Sequence, residues 1–186
     1  MIIIGLVGKK RSGKDTFGQI LEWNSPIINR VIRVAFADAL KREVALAVTV
    51  VDGIIGNKRS AITPKFIDEH KEMFRLILQG WGTELRRELY NRNYWTAQLQ
   101  RRIGELHPDS VVYIPDVRFR NEADLVKELG GINVSIVRPN YHIDGDTHTS
   151  EVELETISCD YQVINSGTLE DYSTLVMECF NKIKTK

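Results

Sequence analysis

The residues of this chain that could do chemistry begin at Gly8-Lys-Lys-Arg-Ser-Gly13-Lys14-Asp15-Thr16. Glycines let backbone N–H groups wrap a phosphate chain, a helix start adds partial positive charge, and a lysine ammonium reaches the terminal phosphates. The usual pattern puts a hydroxyl directly after the lysine as a magnesium ligand, but here Asp15 takes that place and Thr16 follows. A carboxylate beside a polyphosphate is repelled unless a cation lies between them, so Asp15 points to a metal-dependent site. The chemistry such a loop serves is phosphoryl transfer, which asks a protein for positioning, magnesium and cations to meet the charge of the moving group.

A second group is Asp116-Val-Arg118-Phe-Arg120-Asn-Glu122. Asp116 could hold magnesium through water or orient an acceptor, and the Arg118 fork could bridge donor and acceptor phosphates; the alternative is an aspartate capping a helix beside surface ion pairs. A third group runs from Arg75 through Gln79, Gly80, Gly82 and Thr83 to Arg86 and Arg87, with Trp95 beyond. Gly80 and Gly82 interrupt a helical pattern at a cost of about 1 kcal/mol each relative to alanine. Either a ligand approaching the backbone or close helix packing at a bend compensates, and Trp95 is either a core residue or a platform for a base. The Asp68-Glu-His-Lys-Glu72 run reads as an exposed helix face. His142 and His148 lack metal-ligand spacing and read as solvated loop residues.

These groups need elements to hold them. Met1–Val7, 31–36, 111–115, 132–137 and 161–164 are apolar, β-branched runs of strand length, and helical spacing covers roughly 16–23, 38–51, 66–91, 94–106, 120–129 and 168–184. Alternating strands and helices imply a parallel sheet covered on both faces, with ligands at the carboxyl ends of the strands. Those ends carry the glycine loop, Asp38, Asp116–Arg118, Arg138 and Asn165. Asn165-Ser-Gly-Thr-Leu169 reads as a turn with Thr168 as helix N-cap, or as backbone offered to a purine. The stretch 139–151 has turn formers and no apolar period, and is expected to be a small lid.

The 186 residues fit a single domain (1–186), with a helical region about 38–107. The 25 basic and 25 acidic residues balance, which argues for small charged ligands and against a nucleic-acid polymer. Cys159 and Cys179 lack metal spacing and read as ordinary thiols of a reducing compartment. The apolar start is too short for a membrane span and lacks a basic leader, so a cytoplasmic protein away from membranes is expected.

Taken together, Gly8–Thr16, Ala35-Phe-Ala-Asp-Ala-Leu-Lys41, Arg75–Thr83 with Trp95, Asp116–Glu122, His148-Thr-Ser-Glu151 and Asn165-Ser-Gly167 resemble the bacteriophage deoxynucleoside monophosphate kinases. The resemblance implies a P-loop α/β fold, with a five-stranded parallel sheet and helices on both faces. It also implies ATP and Mg2+, and a deoxynucleoside monophosphate as acceptor. Arg11, Ser12, Gly13, Lys14, Asp15, Thr16, Arg138 and Asn165 become ATP positions, with metal at Asp15, Thr16 and Asp116. Asp38, Lys41, Arg75, Gln79, Gly82, Thr83, Trp95, Arg118 and Glu122 become acceptor positions, and Lys14, Asp15, Asp116, Arg118 and Glu122 catalytic ones. Related kinases place arginines in the lid, whereas 139–151 contains none, leaving Arg118, Arg120 or Arg138 to meet the charge. The implied setting is the host cytoplasm. Apart from the resemblance, a helix as long as 66–91 could serve a homodimer, and its apolar face fits packing within one chain equally well. A kinase similar to dephospho-coenzyme A kinase shares the loop but not the Arg75–Trp95 segment. A GTPase-type switch would need an Asn-Lys-x-Asp motif, which this sequence lacks.

Overall fold

A computed structural model describes residues 1–25, 30–54, 61–139, 153–154 and 156–185. The expected lid, His142 and His148 lie outside the described residues. The chain divides into two compact units, one of Met1–Val34 with Arg102–Lys186 and one of Ala35–Arg101.

The first unit holds a five-stranded, all-parallel sheet of β1 (Ile2–Val7), β2 (Val31–Arg33), β3 (Val111–Val117), β4 (Ile132–Val137) and β5 (Tyr161–Ile164), in the order β2-β3-β1-β4-β5. The alternation of β1 decides its two faces. Ile4 and Leu6 enter a core with Phe17, Ile20 and Leu21 of α1 (Lys14–Trp23) and Tyr172, Val176, Cys179 and Ile183 of α7 (Leu169–Lys184). Gly5 turns the other way, so tightly against Asn133 and against Val126 of α6 (Arg120–Glu128) that a Cβ would stand 2.5 Å from Asn133 Oδ1 and 3.0 Å from Val126 Cγ2. Helices therefore cover both faces, as expected.

Two local features aim the strand ends. Between β1 and β3 the register runs Gly5↔Ile114 and then Val7↔Val117, one extra residue on β3. Pro115 sits at that irregularity and has no N–H for a ladder bond, which fits a bulge and re-aims the chain at Asp116. Strand β3 continues to Val117, two residues past the expected end, because the bulge absorbs the proline. On α1, Gly18 lies flat under Tyr113: a Cβ there would be 2.1 Å from the ring. The Tyr113 hydroxyl donates to Glu22 at 2.8 Å, and burial, Glu22 and the Asp15 charge all push its pKa up.

The second unit comprises α2 (Phe36–Ile54), α3 (Pro64–Glu69), α4 (Lys71–Gln79), a π-helix (Gly80–Tyr90) and the start of α5 (Tyr94–Gly104). Its core is Val44, Ala45, Ile67 and Phe74, with Leu40, Phe66 and Trp81 packed around them. The helix expected over 66–91 is three pieces. It starts earlier, because Thr63 Oγ1 accepts the Phe66 N–H at 3.1 Å and Pro64 suits the first turn. It breaks at His70, with φ of −117°, and then widens at Gly80. The strand expected over 31–36 ends at Arg33, and α2 begins at Phe36, where Asp38 Oδ2 accepts the Ala35 N–H at 3.1 Å. Among the described residues no helix is long and apolar enough to cross a membrane.

Candidate active site

In the first unit the loop between β1 and α1 is shaped by residues far away in sequence. Gly13, immediately before α1, has φ of +112°, a conformation that side chains rarely adopt. Arg11 has φ of +62° without being glycine, a strained state of the kind found at functional sites. Asn165 Nδ2 donates to Ser12 O at 2.9 Å, and the Tyr172 hydroxyl donates to Gly13 O at 3.0 Å. The end of β5 and the first turn of α7 thus hold the loop's last two carbonyls. Lys14 Nζ donates to Gly8 O at 2.6 Å and Lys9 O at 2.8 Å, so the ammonium lies against the loop. Ser12 is 3 % exposed, and its Oγ has no hydrogen-bond partner among the described residues. Buried polar atoms are almost always partnered, so a hydroxyl left this way inside a loop of backbone N–H groups fits a phosphate oxygen.

Asp15 and Thr16 occupy the first turn of α1, Asp15 exposed and Thr16 half-buried. The N–H groups of a first helical turn have no intrahelical acceptors, so they and the dipole favour an anion there. Hard oxygen donors at Asp15, Thr16 and Asp116 suit magnesium, which takes one or two protein oxygens together with phosphate and water. Asp116 is half-buried at the bulged end of β3.

Glu122 holds the turn that follows. It is 2 % exposed, and its Oε2 accepts the N–H of Arg118 at 2.8 Å and of Phe119 at 3.2 Å. The structure thus places Glu122, expected among acceptor and catalytic residues, on the backbone that carries Arg118. The Arg120 N–H donates to Glu153 Oε2 at 3.2 Å, and Arg138 is exposed just beyond β4. Thr168 caps α7 as expected, accepting the Asp171 N–H at 3.2 Å.

The second unit carries the remaining expected acceptor residues, and several are engaged within it. Lys41 is 7 % exposed, with Nζ 2.6 Å from Asp68 Oδ1; Asp68 is thus an ion-pair partner and not only part of an exposed face. Arg75 donates to both Glu72 oxygens, at 2.9 and 2.7 Å. Gln79 ends α4, and Gly82 and Thr83 lie in the π-helix. At Gly82 a Cβ would be 2.9 Å from Leu40 Cδ2, the tip of a half-buried side chain, whereas at Gly80 the nearest atom would be Glu84 Oε2 at 3.9 Å; helix packing is thus close at Gly82 and open at Gly80. Trp95 is 3 % exposed and its Nε1 donates to Gly82 O at 2.8 Å. Its ring is core, and it acts on the π-helix backbone.

Sequence reasoning missed two residues here. Tyr172 carries no motif, since a tyrosine on the apolar face of a terminal helix reads as core. Glu43 follows Lys41 and Arg42 and belongs to no motif, yet it accepts Trp81 Nε1 at 2.9 Å, Arg86 Nε at 2.8 Å and the Tyr94 hydroxyl. The Arg86 guanidinium also lies over the Tyr94, Trp81 and Tyr90 rings at 4.9, 5.7 and 5.8 Å. Burial pushes the Glu43 pKa up, but the bonds from Tyr94, Trp81 and Arg86 and the Arg86 charge outweigh it and leave it lowered.

With this geometry in place, residues 54–176 match the model of the family described as deoxynucleotide monophosphate kinase. The chain belongs to that family. A putative deoxynucleotide monophosphate kinase of Acanthamoeba polyphaga mimivirus is 36 % identical over 197 residues, with 96 % of each chain covered, which includes most of the region ahead of residue 54. The deoxynucleoside-5′-monophosphate kinase of Escherichia phage T5 is 30 % identical over 132 residues, 67 % of this chain and 49 % of the phage protein. The deoxynucleotide monophosphate kinase of Enterobacteria phage T4 is 30 % identical over 112 residues, 59 % of this chain and 43 % of the phage protein. The matched segments thus cover slightly under half of each phage enzyme. Its fold is similar to that of dephospho-CoA kinase from Campylobacter jejuni, with a TM-score of 0.52, 14 % identity, and 97 % and 96 % of the two chains covered.

Proposed function

We propose that this deoxynucleotide monophosphate kinase transfers the γ-phosphoryl group of ATP to a deoxynucleoside monophosphate. The observation that carries this reading is the loop Gly8–Thr16, tied at Ser12 O and Gly13 O by Asn165 and Tyr172, in a chain whose family is that of these kinases. A phosphate oxygen of the acceptor forms a bond to the γ-phosphorus as the bond to the bridging oxygen of ADP breaks. The products are ADP and a deoxynucleoside diphosphate.

The loop amides and the first turn of α1 hold the donor phosphates. Lys14 turns its ammonium from the Gly8 and Lys9 carbonyls to the transferring group. The Arg118 guanidinium, on the turn that Glu122 fixes, meets the charge spread over that group. Asp15, Thr16 and Asp116 would hold magnesium, which neutralises phosphate charge when bound. Acceptor recognition belongs to Asp38, Lys41, Arg75, Gln79, Gly82 and Thr83, with Trp95 holding Gly82. The partners are small molecules and the setting is the host cytoplasm.

The test is a coupled assay of ADP formation with ATP, magnesium and a panel of deoxynucleoside and ribonucleoside monophosphates, with dephospho-coenzyme A as a further acceptor. At least one deoxynucleoside monophosphate is expected to raise ADP release well above background. A panel in which none does overturns the reading.

A further inference from the structure

The π-helix Gly80–Tyr90 runs for 11 residues, whereas this winding ordinarily appears as single-turn bulges, often at functional sites. Something must select it over an α-helix. The Glu43 carboxylate of α2 does so by its contacts: Trp81 Nε1 and Arg86 Nε both donate to the same oxygen, Oε2, at 2.9 and 2.8 Å. Trp81 and Arg86 are five residues apart. In an α-helix that spacing puts two side chains about 140° apart around the axis, too divergent for one carboxylate oxygen. In a π-helix, residues five apart are hydrogen-bonded neighbours one above the other, as the Asn91 N–H to Arg86 O bond of 2.9 Å shows at its end. The Tyr94 hydroxyl takes the other oxygen, Oε1, and Trp95 fastens the Gly82 carbonyl at 2.8 Å.

We propose that Glu43 is a positioning residue that holds Gly80–Tyr90 in π winding and thereby sets the affinity for the nucleotide acceptor; this rests on the acceptor role given above to Gly82 and Thr83. Both residues sit inside the segment, one and two places beyond Trp81. If the segment rewinds to α, each residue after Trp81 turns progressively further around the axis, and Thr83 leaves its place. Glu43 need not touch the acceptor to control this.

The test is steady-state kinetics on the full chain for wild type, Glu43→Gln and Trp81→Phe, varying acceptor and ATP separately and recording thermal midpoints. Both variants are expected to raise the KM for the deoxynucleoside monophosphate about tenfold, the scale of a lost hydrogen bond to a charged group, while the KM for ATP stays within about twofold. An acceptor KM unchanged in both folded variants overturns the proposal. So does a parallel rise in both KM values, the mark of general loosening. If Glu43→Gln does not fold, Trp81→Phe, which removes one donor of three, decides by the same split. A wild-type chain that phosphorylates no monophosphate overturns the functional reading, and this inference with it.

Discussion

Gly13→Ala perturbs the phosphate loop at its tightest point. With φ of +112° and ψ of 13°, the alanine backbone would be strained by about 1–3 kcal/mol. Its Cβ would stand 2.6 Å from Asn165 Nδ2 and 3.2 Å from the Tyr172 hydroxyl oxygen, an overpacking worth about 1–3 kcal/mol. These same atoms hold Ser12 O and Gly13 O, so relief of the clash loosens the loop. The expected loss is about 2–6 kcal/mol, read by urea unfolding as a lowered midpoint with unchanged slope. A double-mutant cycle separates the two causes. In an Asn165→Ala background the nearest clashing atom is gone, so Gly13→Ala should cost at least about 1 kcal/mol less there, while the strain from φ remains. Calorimetric ATP affinity should fall with Gly13→Ala in both backgrounds. A Gly13→Ala chain within about 0.5 kcal/mol of wild type, or strict additivity in the cycle, would refute the account of how this loop is held.

Lys14→Ala should lower kcat by the equivalent of about 2–4 kcal/mol, the loss of one donor to the transition state; near wild-type turnover would remove Lys14 from the chemistry. Asp15→Asn should raise the magnesium concentration needed for half-maximal activity while costing only about 0.3–1 kcal/mol of stability, the scale of one exposed carboxylate in the first turn of a helix; an unchanged magnesium titration would show that Asp15 serves no metal. Glu43 has a pKa lowered from its ordinary value of 4.5, so its contribution to stability is full above that value and is lost as pH falls through the lower folded value. The stability gap between wild type and Glu43→Gln should therefore be constant above pH 4.5 and shrink below it, as followed by urea unfolding across pH.

The loop and the sheet were legible because each depends on local signals. Gly8–Thr16 announces itself by glycines and a lysine at fixed spacing, and the apolar runs that became β1 to β5 alternate with amphipathic stretches. Thr168 was legible for the same reason, since a cap is decided within one turn. What stayed hidden depends on contacts made across long sequence separations. Nothing near Tyr172 tells that its hydroxyl reaches Gly13, and nothing near Glu43 tells that residues 81, 86 and 94 converge on it. The π winding is likewise invisible in a helical pattern, because the pattern records which residues are apolar and not the width of the turn. Trp95 shows a further limit: aromatic size suits a base or a core equally, and burial with a bond to Gly82 O decides for the core. Glu122 lay in a recognisable group, yet its bonds to the Arg118 and Phe119 amides give it a positioning task that the sequence did not separate from contact with substrate.

The most direct measurement follows the phosphorus itself. ATP labelled at the γ-phosphate is mixed with the protein, magnesium and a deoxynucleoside monophosphate in a single turnover, and the products are separated. Label appearing in the deoxynucleoside diphosphate, at a rate that depends on the monophosphate concentration, is the predicted result. Label released as inorganic phosphate at a rate indifferent to the monophosphate, or label remaining in ATP, would contradict it.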